Sequence, residues 1–164
     1  LNKLEGFTCR EILGFVASIC GGNAYITRDG KFTIKTPATI DYSITSDNYI
    51  DLKSEEDLYK VGAITCKAND KELTKGTLSN SSMEITFENP WVTESILTDI
   101  YNKLKGFEFI GYSMKWQGDF SLDVGDIISI TDTKGNTRQV PIFSQKLTYN
   151  GGLTSEIGAK GETF

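Results

Sequence analysis

"FEFIGYSMKWQGDFSLDVGDIISITDTKGNTRQVPIFSQKLTYNGG", residues 107–152, decides the fold class. Runs rich in β-branched and aromatic residues, at 107–116, 126–131, 139–144 and 146–149, are separated by Gln117-Gly118-Asp119, Lys134-Gly135-Asn136 and Asn150-Gly151-Gly152. β-Branched and aromatic side chains fit a pleated surface, and glycine, asparagine and aspartate supply the turns. Strands in such close succession predict antiparallel pairing closed into a barrel or small sandwich.

Immediately upstream, Thr93 stands before Glu94, and Ile96, Ile100 and Leu104 recur at i, i+4 and i+8 with Leu97 and Tyr101 beside them. That spacing predicts a helix over about 93–105, ended by Gly106, with one apolar stripe to lay on a sheet. Near the start, "FTCREILGFVASICGGNAYITRDGKFTI" (7–34) carries the S/T-x-x-E pattern in Thr8 and Glu11. It predicts a capped helix ending near Cys20, with Gly21 and Gly22 as its C-terminal cap. Alternation on either side of Asp29-Gly30 predicts a hairpin. Ile12, Val16 and Ile19 are expected to pack on Ala24, Ile26, Phe32 and Ile34.

Residues 37–59 read as a polar, irregular connection with a helical turn at 55–58 and a domain boundary. Strands are expected at 61–67 and 83–87, with a long hairpin loop between them, and Asn89-Pro90 closes that stretch. The fold class is therefore α+β, mainly antiparallel β, with a helix-plus-hairpin domain at 1–58 and an antiparallel β-barrel with one helix at 59–164.

The 164 residues carry 17 basic and 22 acidic side chains, a formal charge of −5, the wrong sign for holding nucleic acid. No apolar run approaches the roughly 20 residues of a membrane span, and no signal-peptide pattern is present. Cys9, Cys20 and Cys66 are an odd count, so at least one thiol cannot pair within the chain, a disulfide framework is a poor description, and reduced, buried thiols are expected. Histidine is absent, which removes the usual general base and the commonest transition-metal ligand.

Three constellations could carry chemistry. Asp119, Asp123 and Asp126 could supply a carboxylate pair for glycoside hydrolysis, but each lies near a glycine or strand end, where aspartate commonly serves local backbone N–H groups. "DTKGN" (132–136) lacks the register of a calcium loop and reads as a hairpin turn. Tyr101, Phe107, Phe109, Tyr112, Trp116 and Phe120 could form a stacking platform, yet alternation splits them between two faces. Cys9, near a helix N-terminus, has no second cysteine at a useful spacing. No catalytic, cofactor-binding or metal-binding residue is assigned. A small carbohydrate-binding β module and a carboxylate-based cell-wall hydrolase remain as alternatives.

The serial order of five motifs carries a resemblance. A helix ending in a double glycine is followed by "NAYITRDGKFTI" (23–34), "ENPWVTESILTDIYNKLKGFEF" (88–109), "GDFSLDVGDIISITDTKG" (118–135) and "LTYNGGLTSEIGAKGE" (147–162). In this order the chain resembles the baseplate hub and tail-associated proteins of tailed bacteriophages and prophages, minus their N-terminal barrel. The resemblance implies a tail-tube-like barrel and a structural role at the tail tip, in a ring between tail tube and spike or fibre. It implies self-association, as a trimer in the full-length protein, and contact with tail tube or distal tail protein, tape measure, and spike or fibre. The implied location is the virion, or the bacterial cytoplasm when expressed from a prophage. The positions that carry the pattern are turns and caps, namely Gly21, Gly22, Asp29, Gly30, Pro90, Gly125, Asp126, Gly151 and Gly152, alongside the Thr8–Glu11 cap. An acidic chain also suits a conduit for DNA, so acidic residues are expected to outnumber basic ones on the lumen face of such a ring.

Overall fold

A computed structural model of the chain describes residues 6–80 and 82–160. The element order is α1 (Cys9–Ile19), β1 (Asn23–Ile26), β2 (Phe32–Lys35), β3 (Ala38–Ile44), β4 (Tyr49–Ala68), β5 (Lys71–Gly76), β6 (Ser82–Glu88), α2 (Glu94–Leu104), β7 (Glu108–Trp116), β8 (Asp126–Thr131), β9 (Thr137–Pro141), β10 (Ser144–Tyr149) and β11 (Leu153–Ala159). The described residues are thus mainly antiparallel β with two helices. Residues 161 and 162, at the end of the fifth motif, lie outside the described residues.

Two compact units interleave along the chain. The first holds the described residues up to Thr36 together with Lys60–Phe107; the second holds Pro37–Tyr59 and the described residues from Glu108 onward. The chain crosses between them at 36/37, 59/60 and 107/108. β4 serves both units, one with each half.

In the first unit, the second half of β4 is flanked by antiparallel β5 and by β6, which runs parallel to it. α2 lays Leu97 and Ile100 on Val61, Ile64 and Cys66 of β4, with Val92 completing the buried cluster and Leu73, Ile85 and Phe87 at its margin. Fully burying an aliphatic side chain of this size stabilises by roughly 1.5–3 kcal/mol. α1 joins this core through Ile19.

In the second unit, β10-β11-β7-β4 form one run of hydrogen-bonded strands and β3-β8-β9 another. β8 alternates strictly, burying Asp126, Ile128 and Ile130. The two sheets meet where the Tyr42 ring stands edge-on to Trp116, centroids 6.2 Å apart, and where the Tyr112 hydroxyl donates to the Pro141 carbonyl at 3.0 Å.

Several sequence expectations are corrected here. The sheets are open and do not close into a barrel, because β10 ends one run and no strand among the described residues joins it to β4. Residues 55–58 are strand, not a helical turn: β7 runs antiparallel to β4, bracketed by Gln117 N–H to the Asn48 carbonyl at 3.3 Å and Val61 N–H to the Phe107 carbonyl at 3.0 Å. Pairing overrides the weak β-propensity of Ser54-Glu55-Glu56-Asp57. The loop expected before 83 contains β5, reached by a turn at Asn69-Asp70 in which Asn69 takes φ 56°, a left-handed conformation asparagine tolerates. β3 pairs parallel with β8, an addition to the antiparallel scheme.

The face expected to join α1 to the hairpin is also different. Ile26 and Phe32 are direct cross-strand partners and are 63% and 45% exposed, and Val16 is exposed as well. Ala17 is the residue α1 buries fully. Among the thiols only Cys66 is buried; Cys20 is half-buried and Cys9 exposed, and all three are free. Burial pushes the Cys66 thiol up.

Candidate functional site

The residues singled out in the sequence are placed at chain reversals. Thr8 N–H donates to Glu11 Oε2 at 2.7 Å and Glu11 N–H to Thr8 Oγ1 at 3.3 Å, the two bonds of a capping box. At the other end of α1, Gly22 N–H reaches the Ala17 carbonyl at 3.1 Å and Gly21 N–H the Ser18 carbonyl at 2.9 Å, with Gly21 at φ 71°. This is a Schellman motif. Gly22 is fixed by space as well, since a Cβ there would lie 2.6 Å from the Lys35 carbonyl oxygen. The loop carrying Asp29 and Gly30 is closed by Thr27 N–H to the Lys31 carbonyl at 2.8 Å and Gly30 N–H to the Thr27 carbonyl at 2.9 Å. Gly151 and Gly152 turn the chain between β10 and β11, with Asn150 N–H on the Gly152 carbonyl.

Gly125 and Asp126 do more than start a strand. Gly125 N–H donates to the Ile142 carbonyl, Ile142 N–H returns to the Asp126 carbonyl, both at 2.8 Å, and Ala38 N–H reaches the Gly125 carbonyl at 3.1 Å. One dipeptide therefore ties the starts of β3 and β8 to the end of β9. Asp126 is buried and accepts from Asp123 N–H at 2.7 Å.

Of the three aspartates considered for hydrolysis, Asp119 and Asp126 accept from nearby backbone N–H groups. Asp119 accepts from Ser121 N–H at 2.7 Å and from the Tyr42 hydroxyl at 2.8 Å. Desolvation first, and then Asp119, push the Tyr42 phenol up to about 12. Asp132 gathers Lys134 N–H, Asn136 N–H and the Asn136 side-chain amide, which together hold its carboxyl below the usual range and make residues 132–136 a hairpin turn. Among the described residues no group of three or more His, Cys, Asp or Glu is placed to hold a metal ion.

The aromatics form no platform. Phe109, Tyr112 and Trp116 are buried, Phe120 is exposed, and Tyr101 and Phe107 pack beside the α2 core. Phe109 stacks on Tyr59 and meets Phe143 edge-on, with centroids 5.4 and 5.0 Å apart.

Asn89 is central, although the sequence singles out Asn89-Pro90 only as the close of a strand. Fully buried, it donates from Nδ2 to the Phe15 carbonyl at 2.9 Å and to Ser18 Oγ at 2.8 Å, and accepts at Oδ1 from Trp91 N–H at 2.9 Å. Pro90 occupies the second position of the β-turn closed by Val92 N–H on the Asn89 carbonyl at 3.3 Å, where its fixed φ is favourable. The Asn-Pro pair announces the turn; nothing local in the sequence announces the bond to α1, 74 residues away.

The surface features with no partner among the described residues are strand edges. β10 ends its run, and its Leu147 and Tyr149 are 38% and 77% exposed. β5 pairs with β4 from Ala63 on and β6 from Lys60 on, so in the first half of β4 only β7 occupies an edge. Ile50 and Leu58 there are 67% and 47% exposed. Open edges and exposed apolar side chains are what an assembling protein offers. Among the described residues no helix is long and apolar enough to cross a membrane.

No family model matches the chain, and no curated protein matches it. Solved structures do. The 43 kDa tail protein of prophage MuSo2 from Shewanella oneidensis superposes with TM-score 0.58 at 13% identity, over 96% of this chain and 56% of that one. A tail protein from Neisseria meningitidis MC58 gives TM-score 0.55 at 11% identity, over 96% and 56%. The chain therefore spans about half the length of these proteins and shares across that span the fold of prophage tail proteins.

Proposed function

We propose that the protein is a structural component of a bacteriophage or prophage tail, placed at the tail tip as part of the baseplate hub. The carrying observation is the fold likeness over 96% of the chain to the MuSo2 43 kDa tail protein. Low identity makes that a statement about fold; the open edges of β10 and β4 supply the independent reason to read the fold as an assembly unit. In this reading the chain lies in a ring between tail tube and spike or fibre, as a trimer in the full-length protein, touching tail tube or distal tail protein and tape measure. Its residence is the virion, or the bacterial cytoplasm before assembly. In this reading the chain is not an enzyme, and its Asp119 and Asp126 carboxylates serve backbone N–H groups. Acidic residues line the lumen and repel the passing DNA.

Immunogold labelling of tailed particles from the encoding host tests this. Antibody against the chain should mark the tip of the tail; gold on the capsid, or none on any particle, would contradict the placement.

A further inference from the structure

We infer that copies of this chain join head to tail, the outer edge of β10 in one copy pairing with the outer edge of residues 49–59 of β4 in the next. The inference rests on the assembly role proposed above and names its interface. Both edges belong to the second unit and stand at opposite ends of the run β10-β11-β7-β4. Each presents open backbone donors and acceptors, the template for adding a strand.

Charge selects the partner. Residues 49–59 carry Asp51, Glu55, Glu56 and Asp57 against Lys53 alone, and Lys53 lies 3.8 Å from Asp51. β10 carries Lys146 and no acid, in a cross-strand row with Glu156 and Lys115. Pairing β4 with β4 would set acidic runs side by side, and pairing β10 with β10 would gather lysines; like charges in facing strands destabilise. Pairing β10 with β4 opposes a basic edge to an acidic one. It also brings exposed Leu147 and Tyr149 within the same contact as exposed Ile50 and Leu58. The two edges differ, so the contact is heterologous and repeats around a ring when its rotation closes. An isologous dimer is disfavoured by the same charges.

The test is the mass of the purified protein at rising concentration and at low and high salt. Wild type should form multimers that weaken with salt. Lys146→Glu should abolish them, and Lys146→Glu combined with Glu56→Lys and Asp57→Lys, which reverses both faces of the acidic strand, should restore them. Leu147→Pro, with folding checked by circular dichroism, should also leave monomers, since proline cannot serve a ladder on both sides. Multimers unchanged in Lys146→Glu and Leu147→Pro would overturn the interface while leaving the assembly role standing. Wild type that stays monomeric throughout would overturn both.

Discussion

Asn89 Nδ2 lies 2.9 Å from the carbonyl oxygen of Phe15, a bond that fastens α1 to the turn between β6 and α2. Asn89→Ala would strip the Phe15 carbonyl, Ser18 and Trp91 N–H of a partner in a buried place. A loss of about 2–4 kcal/mol is expected, read as a lower urea midpoint at unchanged slope. Asn89→Asp should be worse, because it keeps the acceptor for Trp91 N–H but turns a charge toward a carbonyl. An unchanged midpoint in both would show that the bond is dispensable.

Burial assigns the core to α2 and away from the hairpin. Leu97→Ala should cost about 2–5 kcal/mol, as for a fully buried leucine. Phe32→Ala, although the sequence pattern places Phe32 in the core, should cost under about 1 kcal/mol because its ring is 45% exposed. Denaturation of the two variants side by side decides this, and the opposite order would restore the sequence-based face.

Three glycines in α1 and its cap separate helix propensity from geometry. Gly14 is helical, and a Cβ added there would meet nothing within 4 Å, so Gly14→Ala should stabilise by about 0.5–1 kcal/mol. Gly21→Ala, at φ 71°, should destabilise by about 1 kcal/mol, and Gly22→Ala by more, since its Cβ meets the backbone of Lys35. Thermal midpoints falling in the order Gly14→Ala, wild type, Gly21→Ala, Gly22→Ala are expected.

Acid and alkali act through different groups. Backbone and side-chain bonds to Thr8 hold Glu11 below its ordinary 4.5, and Asn136 holds Asp132 below its ordinary 3.8. Their contributions are present above those values and fade as pH falls through the lower folded ones; both groups are exposed, so the effect is small. Tyr42 and Tyr112 are raised, chiefly by desolvation, so their contribution is whole below pH 10 and is lost as pH climbs toward 12 and beyond. Absorbance titration of the tyrosines should show a late fraction released with unfolding, and Tyr42→Phe should shrink it. Release of every phenol near pH 10 with the fold intact would contradict this.

What is legible in the sequence is local. The capping box, the double-glycine helix end, the α2 stripe and the turns at 117–119, 134–136 and 150–152 are short-range physics, readable from neighbours in the chain. Partnership between distant strands is not. Ser54-Glu55-Glu56-Asp57 is strand only because β7 runs beside it, and the hairpin into β5 turns on Asn69 rather than on a glycine. Whether a run of strands closes also depends on its far ends, β10 and β4, about 90 residues apart in the chain. The backbone bonds of Asp119 and Asp126 are readable from their position beside glycines. The role of Asn89 is not, because its decisive bond spans 74 residues.

The most direct measurement of the central claim is native mass spectrometry of the purified 18.1 kDa chain across a wide concentration range. Assembly predicts a growing population at whole multiples of that mass. A single 18.1 kDa species at every concentration would contradict it.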